Sequence, residues 1–151
     1  MNTLTEEKKQ ELCSIALRMR KRAYVPYSGH SVGAALLAED GRIFTGCNVE
    51  NAAYGPTICA ERTAFVKAVS EGCRSFVAIA VAGGMEETPE KYCPPCGTCR
   101  QVMAEFCGED FIIMLARTAE DHRDHTLGEL LPLGFHIEEA AQGKGEDHGN
   151  S

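Results

Sequence analysis

The sequence predicts an α/β domain with a mixed sheet sandwiched between helices, and three observations predict it. Stretches of helical periodicity alternate with short apolar runs in the order helix, hairpin, helix, strand, helix, strand. Two of the runs flank an Asp40-Gly41 turn and read as an antiparallel hairpin. A later run, residues 76–82, is apolar throughout with no alternation, as expected of a strand covered on both faces. At 151 residues the chain suits one domain that can bury a sizeable core.

Each element has a local reason. Thr3-Leu4-Thr5-Glu6 reads as a capping box with Thr3 as the cap, and Leu12, Ile15, Ala16 and Met19 then recur at helical spacing. That first helix must end before Pro26. Residues 32–37 and 42–47 form the hairpin, and residues 48–58 are a loop rich in Asn, Gly and Pro. A second helix is expected from near Cys59 to about Glu71, stopped by Gly72. After the strand at 76–82 come a loop over 83–95, a helix over 97–106, a buried strand over 111–115 and a short helix over 127–131. From 140 to 151 apolar residues give way to Gly, Lys, Glu, Asp and Asn. The domain is therefore expected over 1–139, with a disordered tail over 140–151. No internal repeat is present.

Charge narrows the partners. Lys and Arg total 15 against 22 acidic residues, a net charge of −7, whereas proteins that grip polynucleotides usually present a basic face. The balance favours a small-molecule substrate over nucleic acid. No stretch has the apolar length of a membrane span. Residues 1–10 lack the apolar core of a signal peptide, so a cytoplasmic location is expected. In that reducing setting the 8 cysteines read as metal ligands and buried thiols rather than disulfides. Cys13, Cys47, Cys73 and Cys107 stand singly and are expected to behave as small hydrophobes.

The chemistry concentrates in Cys59-Ala60-Glu61 and Pro95-Cys96-Gly97-Thr98-Cys99. Zinc takes four ligands, and a catalytic site leaves one of them to water. Thiolates from Cys59, Cys96 and Cys99 would fill three positions, with Glu61 beside the fourth as a proton carrier. A ligand-x-Glu element followed by Pro-Cys-x-x-Cys is the signature of zinc nucleobase deaminases. Both elements fall at predicted helix starts, where the dipole favours thiolate. Arg62, and less directly Arg100, could draw negative charge from the sulfurs. Cys93-Pro94-Pro95-Cys96 adds a rival: a fourth thiol could close a purely structural site. The two prolines restrict the backbone between Cys93 and Cys96, so Cys93 is expected to be a free thiol.

Further segments extend the pattern. These are Pro26-Tyr27-Ser28, Val32-Gly33-Ala34-Ala35-Leu36, Gly46-Cys47-Asn48-Val49-Glu50-Asn51-Ala52, Cys59 to Ala64, Pro95 to Val102 and Glu129-Leu130-Leu131-Pro132. With them the chain resembles the small cytidine deaminases from about Tyr24 to Phe135. The resemblance implies a three-layer α/β/α sandwich with a mixed sheet of about five strands. It implies hydrolytic deamination of cytidine and deoxycytidine in pyrimidine salvage, with one Zn²⁺ per subunit. Zinc-bound hydroxide would attack C4 while Glu61 shuttles the proton. Asn48 and Glu50 would bind the ribose, and the backbone around Ala60, with Glu61, would read the edge of the base. A homotetramer is implied, in which Tyr54 and Phe135 lie near a neighbour's pocket. One position departs: where the family usually stacks a Phe on the pyrimidine, this chain has His30, a smaller ring that adds hydrogen-bonding capacity.

Three rivals compete with this reading. A deaminase of cytosine in DNA or RNA would need a basic groove that the composition does not supply. A deaminase of a related nucleoside antibiotic would not need the ribose-suited pair Asn48 and Glu50. A non-catalytic zinc module would leave Glu61, Asn48 and Glu50 unexplained together.

Overall fold

In the computed structural model, which describes residues 4–138, helix α1 (Glu6–Met19) passes through a 3-10 turn (Arg20–Arg22) into a hairpin of β1 (Ser31–Ala38) and β2 (Ile43–Cys47). There follow α2 (Ala60–Ser70), β3 (Phe76–Gly84), α3 (Gly97–Phe106), β4 (Ile112–Ala116), β5 (His122–Thr126) and α4 (Leu127–Leu130). The strands form one sheet in the order β2-β1-β3-β4-β5. Only β3 and β4 run parallel, and their crossover contains α3; the other neighbours are antiparallel. The expected five-stranded mixed sheet is thus the observed one.

Strand alternation divides the core into two layers. Leu36, Phe44, Ile79, Val81, Ile113 and Leu115 pack with Ala64, Phe65 and Met103 from α2 and α3. On the opposite face Ala35, Leu37, Ala78, Ala80 and Met114 receive Leu12, Cys13 and Ala16 of α1. The small alanines there let α1 settle close to the sheet. Two glycines carry that closeness to the limit. A Cβ at Gly33 would lie 2.0 Å from the Ala16 carbonyl oxygen and 2.8 Å from the Arg20 nitrogen, and one at Gly46 would lie 2.3 Å from the Ala60 carbonyl oxygen. Gly33 therefore fixes the end of α1, and Gly46 fixes the start of α2 where Cys59 and Glu61 stand.

Two local expectations are corrected. The cap of α1 is Thr5, whose side chain accepts from the Lys8 backbone N–H, so Glu6 is the first helical residue and not the third. Thr3 lies outside the described residues, as does the expected tail over 140–151. The fifth strand, β5, carries the polar sequence His-Arg-Asp-His-Thr, which offers no apolar alternation to read. Its order comes from pairing with β4, Ile112↔Thr126 to Ala116↔His122, and from side-chain ties to α1. The helix α4 behind it opens with a capping box of Thr126 and Glu129, a second feature that the sequence pattern does not announce. None of the helices among the described residues is long and apolar enough to cross a membrane.

His122 makes one of those ties. Its Nδ1 lies 2.5 Å from Asp124 Oδ1 and its Nε2 3.0 Å from Glu6 Oε2, while Lys9 Nζ holds the other Asp124 oxygen at 2.8 Å. Burial opposes charging the ring, but the bonds to Glu6 and Asp124 outweigh it and raise His122 above its ordinary 6.5. A folded pKa above the unfolded one gives stability that is fully present below the unfolded value. That stability is lost as pH rises through the folded value. The urea midpoint of wild type should therefore exceed that of His122→Gln most at about pH 6 and least at about pH 9. A difference independent of pH would show that the ring is not charged in the folded chain.

Candidate active site

Cys59 is the N-cap of α2, Cys96 is the N-cap of α3, and Cys99 lies in the first turn of α3. The two helix starts converge, and the three sulfurs lie within 4.8 Å of one another. Cys59 Sγ is 3.7 Å from Cys96 Sγ, which is 3.5 Å from Cys99 Sγ. Tetrahedral zinc with Zn–S bonds of about 2.3 Å places its sulfurs about 3.8 Å apart, close to the separations observed. The residues fit zinc in donor type, number and spacing, and three donors leave a fourth position open. Cys93 is not in this group; it packs against Gly83, and burial pushes its thiol up to about 11.

Hydrogen bonding from Cys99 holds Cys59 down at about 5 despite burial, with Arg62 and Cys96 adding to the effect. The same contact with Cys59 drives Cys99 in the opposite direction. The trio thus shares its first negative charge, and a dication would displace the remaining thiol protons. Arg62 Nη2 stands 3.6 Å from Cys59 Sγ and donates to the Thr57 carbonyl at 3.3 Å. Its Nε is buried with no partner among the described residues. Arg100 does something else. Its Nε donates to the Pro95 carbonyl and its Nη1 to the Leu130 carbonyl, both at 2.7 Å, so it stitches the Pro95-Cys96 turn to α4 instead of serving the sulfurs.

Glu61, in the first turn of α2, is only 4% exposed, which decides its chemistry. Burial first, and the neighbouring Cys59 charge after it, push its carboxyl up to about 7, against the pull of its own backbone N–H and of Arg62. A carboxyl with that value can both take and release a proton near neutrality. Ala60, the residue before it, is fully buried as the first helical residue, where a backbone N–H has no intrahelical partner.

The loop before α2 forms the second wall. Val49 exchanges backbone bonds with Ile58 at 2.9 and 3.0 Å, and Tyr24 bonds Asn48 and Glu50 at 2.9 and 2.8 Å. Asn48 Nδ2 donates to the His30 carbonyl and its Oδ1 accepts from the Val32 N–H, each at 2.9 Å. Glu50 accepts from the backbone N–H groups of Tyr27 and Ser28 at 3.1 and 3.2 Å and from the Ser28 hydroxyl in a short contact. The Ser28 hydroxyl, with those N–H groups, holds Glu50 below the usual carboxylate range. Glu50 and Tyr54 meet in one cavity of about 340 Å³ with Tyr27, Ser28 and Thr57. Tyr54 sits there at φ 60, in the left-handed region that few non-glycine residues adopt.

His30 faces a different cavity, of about 460 Å³, whose other lining residues include Gly83, Glu86, Tyr92 and Cys93. Phe135 is not brought to either cavity within this chain. It is exposed, with its carbonyl accepting from Gln101 Nε2 at 3.0 Å, while its neighbours Gly134 and His136 line a third cavity beside Glu109. Ser28 and Thr57 are contributors that the sequence does not single out. Ser28 stands within the matching Pro26-Tyr27-Ser28 segment, whereas a lone Thr57 in a loop carries no signal.

Comparison with known proteins agrees with this geometry. Residues 6–115 match the family model of the cytidine and deoxycytidylate deaminase zinc-binding region. A cytidine deaminase of Sporosarcina psychrophila is 50% identical over 130 residues, 86% of this chain and 93% of that protein. One of Halalkalibacterium halodurans is 50% identical over 131 residues, 87% of this chain and 96% of that protein. The crystal structure of cytidine deaminase from Burkholderia pseudomallei superposes with a TM-score of 0.76 at 45% identity, covering 83% of this chain and 97% of that one. With the sulfur trio, the buried Glu61 and the sheet that positions them, these matches identify the chain as a member of the cytidine and deoxycytidylate deaminase family.

Proposed function

We propose that this protein is a zinc-dependent cytidine deaminase, converting cytidine and deoxycytidine to uridine and deoxyuridine by hydrolysis. The observation that carries the reading is three thiols spaced for zinc at two converging helix starts, with a buried ionisable carboxyl two residues from the first. Cys59, Cys96 and Cys99 would hold a zinc ion, which would supply the Lewis acid that makes a water ionise near neutral pH. The protein's own groups do the rest. Glu61 takes a proton from the attacking water and hands it to N3 of the pyrimidine. It then moves the proton of the new C4 hydroxyl to the amino group, so that the C4–N bond breaks, ammonia leaves and C4 becomes a carbonyl. Arg62 spreads the charge of the Cys59 sulfur. Glu50, kept ionised, and the remaining Asn48 amide proton bind the sugar hydroxyls, with Tyr54 closing that side. His30 lies against the base, and the backbone at Ala60 reads its edge.

We read residues 1–139 as one such domain acting in the cytoplasm on a free nucleoside, not on nucleic acid or at a membrane. A homotetramer is supported by the exposure of Tyr24, Tyr54, Leu133, Phe135 and Ile137, apolar groups that a second copy could cover. Phe135 would then serve a neighbouring subunit's site. Release of ammonia from cytidine by the purified, zinc-loaded protein tests the function. A preparation that holds one zinc per chain yet turns over neither cytidine nor deoxycytidine would overturn it.

A further inference from the structure

Arg20, the first residue of the 3-10 turn after α1, is 8% exposed and points its guanidinium at backbone rather than at any carboxylate. Nε donates to the Ser31 carbonyl at 3.1 Å and Nη1 to the Glu87 carbonyl at 3.0 Å. Nη2 donates to the Gly84 and Glu86 carbonyls at 2.9 and 2.6 Å. A buried charge is costly unless it is fully bonded, and here four carbonyl dipoles bond it. Those carbonyls belong to two segments that are far apart in sequence. Ser31 follows His30 at the start of β1; Gly84 ends β3, paired with Ser31, and Glu86 and Glu87 open the loop after it.

These are the two walls of the 460 Å³ cavity, with His30 on one and Gly83, Gly84, Met85 and Glu86 on the other. The His30 wall is also held from behind by the two Asn48 bonds to His30 and Val32. The far end of the loop is fastened separately, by Arg117 Nε on the Pro89 carbonyl at 3.3 Å and by the Tyr92 hydroxyl on Asp121 at 2.6 Å. The turn before Cys96 has its own anchor in Arg100. The ladder pair Ser31↔Gly84, with the Ser31 hydroxyl donating to the Gly84 carbonyl at 3.4 Å, joins the strands themselves; what Arg20 adds is a tie from the start of β1 to the Glu86 and Glu87 carbonyls beyond the end of that ladder. Its place is enforced, because the contact at Gly33 leaves the end of α1 nowhere else to go.

We infer that Arg20 is a positioning residue that holds the loop after β3 in place beside His30, on the base side of the nucleoside. The inference rests on the deaminase reading above. A lysine offers three donors on one atom and cannot span four carbonyls in a plane, so it should serve only in part. Methionine should not serve at all.

The test compares zinc-loaded, full-length wild type, Arg20→Lys and Arg20→Met for zinc content, melting midpoint, and KM and kcat with cytidine. Arg20→Met should raise KM on the order of tenfold, and Arg20→Lys by less, with kcat within about twofold and one zinc per chain retained in both. If Arg20→Met does not fold, the KM of Arg20→Lys decides alone. An unchanged KM beside a lowered melting midpoint would reduce Arg20 to a stitch in the fold, and parallel loss of zinc and kcat would place its effect on the sulfurs; either overturns the inference. A wild type that binds zinc but releases no ammonia would instead overturn the deaminase reading itself.

Discussion

Glu61→Gln should keep its zinc and lose deamination by on the order of 10²–10⁴-fold, the range that a positioned proton carrier contributes. The substitution holds volume and polarity nearly constant and removes only the ability to take and give a proton. Stability should not fall with activity. Glu61 is 4% exposed, and burial penalises its charged form, so a neutral amide in that position relieves a cost. The melting midpoint should therefore stay within about 4 °C of wild type or rise, the shift that ~1 kcal/mol produces in a chain of this size. Ammonia release, zinc content and thermal unfolding measured on the same preparations separate the possibilities. Full activity in the variant would remove Glu61 from the chemistry. Loss of zinc together with activity would mean that the carboxyl supports the metal, and its role as a proton carrier would need another residue.

The contrast between Glu61 and Arg20 explains what can be read from the chain. Zinc chemistry restricts ligands to a few residue types at spacings set by a helix turn, so Cys59, Cys96, Cys99 and Glu61 stand out in the sequence alone. Asn48 and Glu50 are legible through their segment, but not the way Asn48 pins His30 and Val32 or Ser28 holds Glu50 ionised. Arg20 spends its donors on backbone carbonyls, which every residue possesses, and so leaves no partner to find in the sequence. β5 is hidden for a related reason. Its polar side chains bond to α1 and its backbone to β4, and neither contact is local. Thr3 and Thr5 both precede acidic residues, and pattern alone favours the wrong one as cap.

Replacing Cys99 and Cys93 one at a time separates an open catalytic metal site from a closed structural one. Cys99 is 1% exposed within the sulfur trio, and its contacts share charge with Cys59. Serine in its place offers a hydroxyl, a far poorer zinc ligand than thiolate. Cys99→Ser should lose most of its zinc at micromolar metal and with it on the order of 10²-fold or more in turnover. Because metal binding adds to folding free energy, the melting midpoint should fall as well, and excess zinc should restore part of it. Cys93→Ser should behave differently. The Cys93 thiol stands outside the trio, is pushed up to about 11, and packs against Gly83, where a hydroxyl can replace it with little change in volume. That variant should hold one zinc per chain and remain an active deaminase. Metal analysis of both proteins after gel filtration reads the outcome directly. Zinc lost from Cys93→Ser would establish a four-thiol site, leave no position for water, and break the link between the sulfurs and hydrolysis.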